Sequence, residues 1–131
     1  MSLGEEKIAK LLKENKIYFE REKSFPGLKR KDFFRFDFAI YDKNYNISAL
    51  IEFDGEQHFK EVKLFGGKSG FKKTMSHDRA KNKYCLVHNI PLIRIPYYDL
   101  DKINFNSIFE NEDYKVKNKN HNDFIRRKLF E

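Results

Sequence analysis

The sequence predicts an α/β domain, a central mixed β-sheet flanked by helices. Two stretches, 17–25 and 33–41, alternate apolar and polar residues in the manner of half-buried strands. A third, Ala49-Leu50-Ile51-Glu52-Phe53-Asp54, has strand length and follows a turn-rich link, Asp42-Lys43-Asn44-Tyr45-Asn46, so it pairs with the second as a hairpin. Beyond it the order strand, helix, strand calls for a right-handed crossover that lays the last strand parallel to a neighbour. At 131 residues the chain is one domain with room for a single core.

Each element has a local reason. Ile8, Leu11 and Leu12 carry helical spacing over 4–16, with Ser2 as N-cap and Glu5 and Glu6 in the first turn, where the macrodipole favours acids. That explains Glu6; Glu5, three residues before Ile8, faces inward and reaches the rim of the core. Strand 17–25 closes at Pro26-Gly27, and the loop after it carries Lys29, Arg30 and Lys31. In 33–41, Phe34, Phe36, Phe38 and Ile40 take one face and Arg35, Asp37 and Ala39 the other. Residues 60–74, with three glycines and Lys60, Lys63, Lys68, Lys72 and Lys73, read as a mobile loop that touches phosphates. Ser76 then caps a helix over 77–88, striped by Ala80, Tyr84 and Val87, and Asn89 stops it. A short apolar strand follows at 90–97, and a helix over 99–109 turns Ile103, Ile108 and Phe109 inward. The main domain thus spans 1–109, and 110–131 reads as a basic C-terminal tail ending in a short docking helix through Phe124, Ile125 and Leu129.

Composition narrows the function classes. Lys and Arg number 27 against 20 Asp and Glu, a formal charge of +7, which favours a polyanionic partner but argues for binding rather than for any chemistry. Fourteen phenylalanines exclude a chain that is all disordered basic tail. The single cysteine, Cys85, excludes an internal disulfide and a Cys-rich zinc site, and fits a reducing compartment. No apolar run approaches a membrane span and the N-terminus lacks a signal peptide's apolar core, so a soluble, cytoplasmic protein is expected. Cys85 itself reads as a small buried hydrophobe.

The stretch with most chemistry is Ala49 to His58. Glu52 and Asp54 are two apart in a strand and share a face, while Ile51 and Phe53 take the other. Gly55 permits a sharp turn that folds Glu56, Gln57 and His58 back over the strand end. Two carboxylates on an apolar strand carry a desolvation cost that stability alone does not justify, and a hard divalent cation offsets their repulsion. The plain alternative is a polar strand end in water. The hairpin brings Asp37 close to Glu52 and Asp54, and these three acids are expected to form a metal cradle; a buried, hydrogen-bonded Asp37 is the alternative. Downstream, Asp78 and Lys81 share a helix face, as do His77 and Lys81; a surface ion pair is the plain account of the first.

The ordered set Gly4-Glu5, Arg35-Phe36-Asp37-Phe38, Ile51-Glu52-Phe53-Asp54-Gly55-Glu56-Gln57-His58-Phe59, Asp78-x-x-Lys81-Asn82-x-Tyr84-Cys85 and Ile93-Arg94-Ile95-Pro96-Tyr97 resembles the PD-(D/E)xK nuclease superfamily. The branch it is most similar to holds the very-short-patch repair endonucleases and the phage homing endonucleases of the EDxHD type. The similarity covers roughly 4–100. It implies a restriction-endonuclease-like (Vsr-like) core, Mg²⁺-dependent hydrolysis of phosphodiester bonds with Mn²⁺ as substitute, and a DNA substrate. Glu5 resembles the acid of the first helix, Asp37 the anchoring aspartate, Glu52 the (D/E) position and Asp78 the acid of the crossover helix. The superfamily's lysine belongs two residues after Glu52, where this chain has Asp54; either a histidine takes over its work or Lys81 reaches in from the next helix. His58 resembles the histidine of a DGxxH turn, while His77-Asp78 matches the His-Asp pair of the EDxHD group, and the sequence does not choose between them.

From these parts a mechanism is expected in which Asp37 with Asp54 or Glu52 holds Mg²⁺, His58 or His77 assists proton transfer, and Lys81 stabilises developing charge. Lys29, Arg30, Lys31, Lys68, Lys72 and Lys73 hold the nucleic-acid backbone. Two readings compete with a DNA endonuclease: an inactive nucleic-acid-binding module on the same fold, and an RNA nuclease. Double-strand cleavage would call for a homodimer, and sequence specificity for a separate module.

Overall fold

The computed structural model describes residues 2–26, 28, 34–123 and 125. A four-stranded sheet in the order β1-β2-β3-β4 is built from β1 (Phe19–Ser24), β2 (Arg35–Tyr41), β3 (Ile47–Asp54) and β4 (Leu92–Pro96). The first three are antiparallel neighbours, and β4 runs parallel to β3, pairing Glu52 with Arg94 and Asp54 with Pro96. Helices α1 (Leu3–Glu14), α2 (Gly67–Val87) and α3 (Phe105–Glu110) flank it. This is the mixed sheet with helices that the strand patterns predict. No helix among the described residues is long and apolar enough to cross a membrane.

Two apolar layers cover the sheet. Ile8, Ala9 and Leu12 of α1 and Ile108 of α3 pack with Phe38, Ile40, Ala49, Ile51, Ile93 and Ile95. On the other layer Cys85 of α2 packs with Phe36, Ala39, Leu50 and Leu92. Strict alternation along β2 would put Phe36 and Phe38 together, as the sequence pattern does, yet they lie in different layers. The break falls at Asp37. The β2–β3 ladder is regular from Phe38–Ile51 to Ile40–Ala49, but past Phe38 the Phe53 N–H donates to Asp37 Oδ2 at 2.7 Å. A side chain there replaces a backbone partner, and the strands part.

Three expected elements need correction. The segment 60–74 is not a loop: a short 3₁₀ turn (Lys63–Phe65) leads through a left-handed Gly66 (φ 93°) into α2, which starts at Gly67 rather than at Ser76. The glycines misled because they read as flexibility. Gly70 is instead a packing requirement, since a Cβ there would stand 1.9 Å from the Phe65 carbonyl oxygen. The helix expected over 99–109 is shorter, beginning at Phe105 with Asn104 and Ser107 as a reciprocal capping box. Beyond Glu110 the chain meets the sheet: Val116 N–H donates to Leu92 O at 3.0 Å, Lys115 bridges Ile93, and Tyr114 and Asn122 are buried. Phe124 and Leu129 of the expected docking helix lie outside the described residues.

Candidate active site

Among the described residues two groups of carboxylate or imidazole side chains converge, each with one ligand atom per residue and all such atoms within 4.8 Å of one another: Glu5, Glu22 and Asp37, and Asp54, His58 and Asp78. The trio Asp37, Glu52 and Asp54 read from the sequence does not form one such group. Asp37 belongs to the first group and Asp54 to the second, while Glu52 pairs with Lys81.

The first arrangement draws on three elements. α1 is capped by Ser2, whose side chain accepts from Glu5 N–H while Glu5 Oε2 accepts from Ser2. Glu5 therefore caps its helix and faces the site as well. Its approach depends on Gly4, where a Cβ would fall 2.2 Å from the Phe53 ring; only a glycine lets α1 lie this close to β3. Glu22 enters from β1 with φ 56°, a left-handed conformation in the middle of a strand that costs a glutamate about 1–2 kcal/mol. Asp37 comes from the break in β2. Burial and then the field of Glu52 push the Asp37 carboxyl up to about 9, with Glu5 adding to the rise; the Phe53 N–H and Lys81 act against it. Too much negative charge is gathered here for the positive charge that faces it.

Glu52 is buried, and its Oε1 accepts from Lys81 Nζ at 2.8 Å. Lys81 also donates to Arg35 O at 2.7 Å and lies over the Phe36 ring, 5.4 Å from its centroid. An ammonium brought by α2 thus stands beside the glutamate whose own strand carries Asp54 two residues on.

In the second arrangement Asp54 accepts from Arg94 Nη1 at 2.8 Å and from Asn122 Nδ2 at 3.0 Å. His58 Nδ1 lies 2.9 and 3.0 Å from the two Asp78 oxygens and 3.6 Å from Asp54 Oδ1. A carboxylate only accepts, so the proton of that bond sits on Nδ1. Burial alone would lower the His58 pKa, but Asp54 and Asp78 outweigh it and hold the imidazole above its ordinary value. His77 packs edge-on against Phe34, centroids 5.0 Å apart, and joins neither group. Of the two histidines, His58 is the one among the acids.

Lys68, Lys72 and Lys73 are exposed on the first turns of α2; Lys29, Arg30 and Lys31 lie outside the described residues. Cys85 is buried, and burial pushes its thiol up to about 12, which suits packing and not nucleophilic attack. Sequence reasoning missed Glu22, Arg94, Asn82 and Asn122 as site residues. Glu22 looked like the solvent face of an alternating strand. Arg94, set in an apolar run, was the one readable signal, because a buried arginine must have partners.

Comparison of the chain with protein-family models, with curated proteins and with solved structures gave no match.

Proposed function

We propose that the protein is a divalent-metal-dependent endonuclease that hydrolyses DNA phosphodiester bonds, on a core similar to that of the PD-(D/E)xK nucleases. One observation carries the reading: Glu5, Glu22 and Asp37 converge from three elements, next to a glutamate on β3 that holds a lysine at 2.8 Å. Carboxylates in excess of the ammonium that faces them among the described residues are what a site for a cation and a phosphate requires.

The donor set fits a hard divalent ion, Mg²⁺ or Mn²⁺: it is all carboxylate oxygen, and it resists full ionisation without a cation, as the raised Asp37 carboxyl attests. Glu5, Glu22 and Asp37 would hold the ion, with Glu52 beside them. Bound there, it supplies Lewis-acid polarisation of the phosphoryl group and lowers the pKa of a water. The other steps belong to side chains. Lys81 places positive charge where the scissile phosphate gains negative charge, from a different point in the chain than the superfamily pattern provides. His58, its tautomer fixed by Asp78, is the group oriented for proton transfer. Lys68, Lys72 and Lys73 meet the backbone along one side of α2, whose N-terminal dipole adds to their field.

Supercoiled plasmid incubated with the protein in Mg²⁺, Mn²⁺ or EDTA tests the proposal. The expected result is conversion to open-circular or linear DNA with either metal, none in EDTA, and none with Asp37→Ala, which still retards DNA in a gel. Undiminished cutting by Asp37→Ala would refute the assignment. DNA bound but uncut in both metals would leave a nucleic-acid-binding module, and cutting confined to a labelled RNA would make it an RNA nuclease.

A further inference from the structure

The group Asp54, His58 and Asp78 has the spacing of a second cation site, and paired ions are a common arrangement for phosphodiester chemistry. It differs from the first group in holding a cation of its own. Arg94 is 3% exposed; Nη1 lies 2.8 Å from Asp54 Oδ1 and 3.5 Å from Asp78 Oδ1. Its Nε donates to Asn82 Oδ1 at 2.8 Å and Nη2 to the Asp78 carbonyl at 3.4 Å. Asn122 takes the second Asp54 oxygen, and His58 reaches both Asp78 oxygens. Every carboxylate oxygen of the pair thus has a donor. In charge, two acids face one guanidinium and one imidazole. Around Asp37, by contrast, Glu5, Glu22 and Glu52 face Lys81.

Geometry alone allows an ion in either group; occupancy decides between them. An ion entering between Asp54 and Asp78 would have to expel a guanidinium that a buried asparagine and both carboxylates hold in place. Leaving a buried charge without its partner costs several kcal/mol. We infer that Arg94 is a fixed internal cation standing where a second metal would stand, so that the protein binds one divalent ion, at Glu5, Glu22 and Asp37. Asp54, Asp78 and Arg94 then form the frame that orients His58, which makes Arg94 a positioning residue. This rests on the nuclease reading of the first group and adds to it the number of ions and where they do not go.

The test is the stoichiometry of Mn²⁺ bound to the full chain, read from the free-Mn²⁺ electron paramagnetic resonance signal. The wild type should bind one ion. Asp37→Asn should weaken it at least about tenfold, while Asp54→Asn, near-isosteric and still able to accept from Arg94, should keep it. Arg94→Met, which removes the charge but keeps bulk, should raise the count to two; if that variant does not fold, the wild type and the two aspartate variants still decide. Two ions in the wild type, loss of the ion in a folded Asp54→Asn, or a folded Arg94→Met that gains none would overturn the inference while leaving the nuclease reading in place. No ion at all would overturn both.

Discussion

Lys81 Nζ lies 2.8 Å from Glu52 Oε1, the lysine from α2 and the glutamate from β3, with the side chains 14% and 5% exposed. The pair brings a cation to Glu52 from another point in the chain, while Asp54, two residues further along the strand, takes Arg94 as its partner. Lys81→Met is expected to slow plasmid nicking by about 100-fold, the usual effect of removing one donor aimed at developing charge, while Mn²⁺ affinity changes little. It also strands a buried carboxylate, so unfolding should become easier by about 3 kcal/mol. Pairing it with Glu52→Gln should recover most of that stability and none of the rate. Nicking that is unchanged in Lys81→Met would remove the lysine from the mechanism.

Asp37 gives the metal-free protein a defined pH dependence. Its carboxyl ionises near 3.8 when unperturbed but is pushed up to about 9 in the fold, by burial and by Glu52. Between those values the folded state keeps a proton that the unfolded state has lost. Stability is therefore greatest below pH 3.8 so far as this group is concerned, and it declines as pH rises towards 9, by on the order of 1 kcal/mol per pH unit. Asp37→Asn keeps an acceptor for Phe53 N–H and should flatten the decline in denaturant titrations with EDTA. His58 has the same sign, since its folded pKa lies above 6.5: its contribution is complete below 6.5 and fades above it. The slope left in Asp37→Asn above 6.5 should disappear with His58→Gln. A wild-type curve rising from pH 5 to 8 would contradict both assignments.

The same proton must leave when a cation binds. Apparent Mn²⁺ affinity should therefore climb with pH, by about tenfold per unit below pH 9, with one proton released per ion in a weakly buffered titration. Equal affinity at pH 6 and pH 8 would place the ion away from Asp37.

How much of this could be read in advance follows from how local each cause is. The β2–β3 hairpin was legible because Asp42 fixes its own turn, accepting from Asn44 and Asn46 N–H through one side-chain oxygen. Glu52, Asp54 and His58 were legible because period-two alternation and Gly55 state their directions. Glu22 was not, because nothing marks a glutamate for left-handed backbone, and the acids it comes to lie near, Glu5 and Asp37, are far along the chain. Nor was the split of Asp54 from Asp37. The partner that claims Asp54 is Arg94, 40 residues away, and no local pattern distinguishes an acid awaiting a metal from one already holding a guanidinium. The start of α2 failed for a steric reason: Gly70 is small because the Phe65 carbonyl needs the room.

Gly4 offers a way to move the site without touching a ligand. Alanine is the better helix former by up to about 1 kcal/mol, so in an exposed turn Gly4→Ala would stabilise. Here the added methyl meets Phe53 ring carbons at 2.2 to 2.5 Å, and either the ring or α1 must shift. Overpacking of this kind costs about 1–3 kcal/mol, and the displaced helix carries Glu5. The expected outcome is a modest fall in melting temperature together with weaker Mn²⁺ binding and near-normal DNA retention. A variant that is more stable and binds the ion as before would mean that α1 does not deliver a ligand.

The lysines of α2 are tested by salt rather than by rate. Lys68 and Lys72 are four apart and share a stripe of the helix, and Lys73 lies beside it; all three are exposed. If each neutralises a phosphate, each contributes about 0.9 to the slope of log binding constant against log salt. Replacing all three by glutamine should lower that slope by about 2.7 and weaken binding by the same factor for unrelated duplexes, because phosphate contacts carry no sequence information. Metal stoichiometry should not change, since both groups of converging acids draw on other residues. A triple variant with an unaltered slope would show that the duplex lies on another face, and the basic segment 29–31 would then be the next to neutralise.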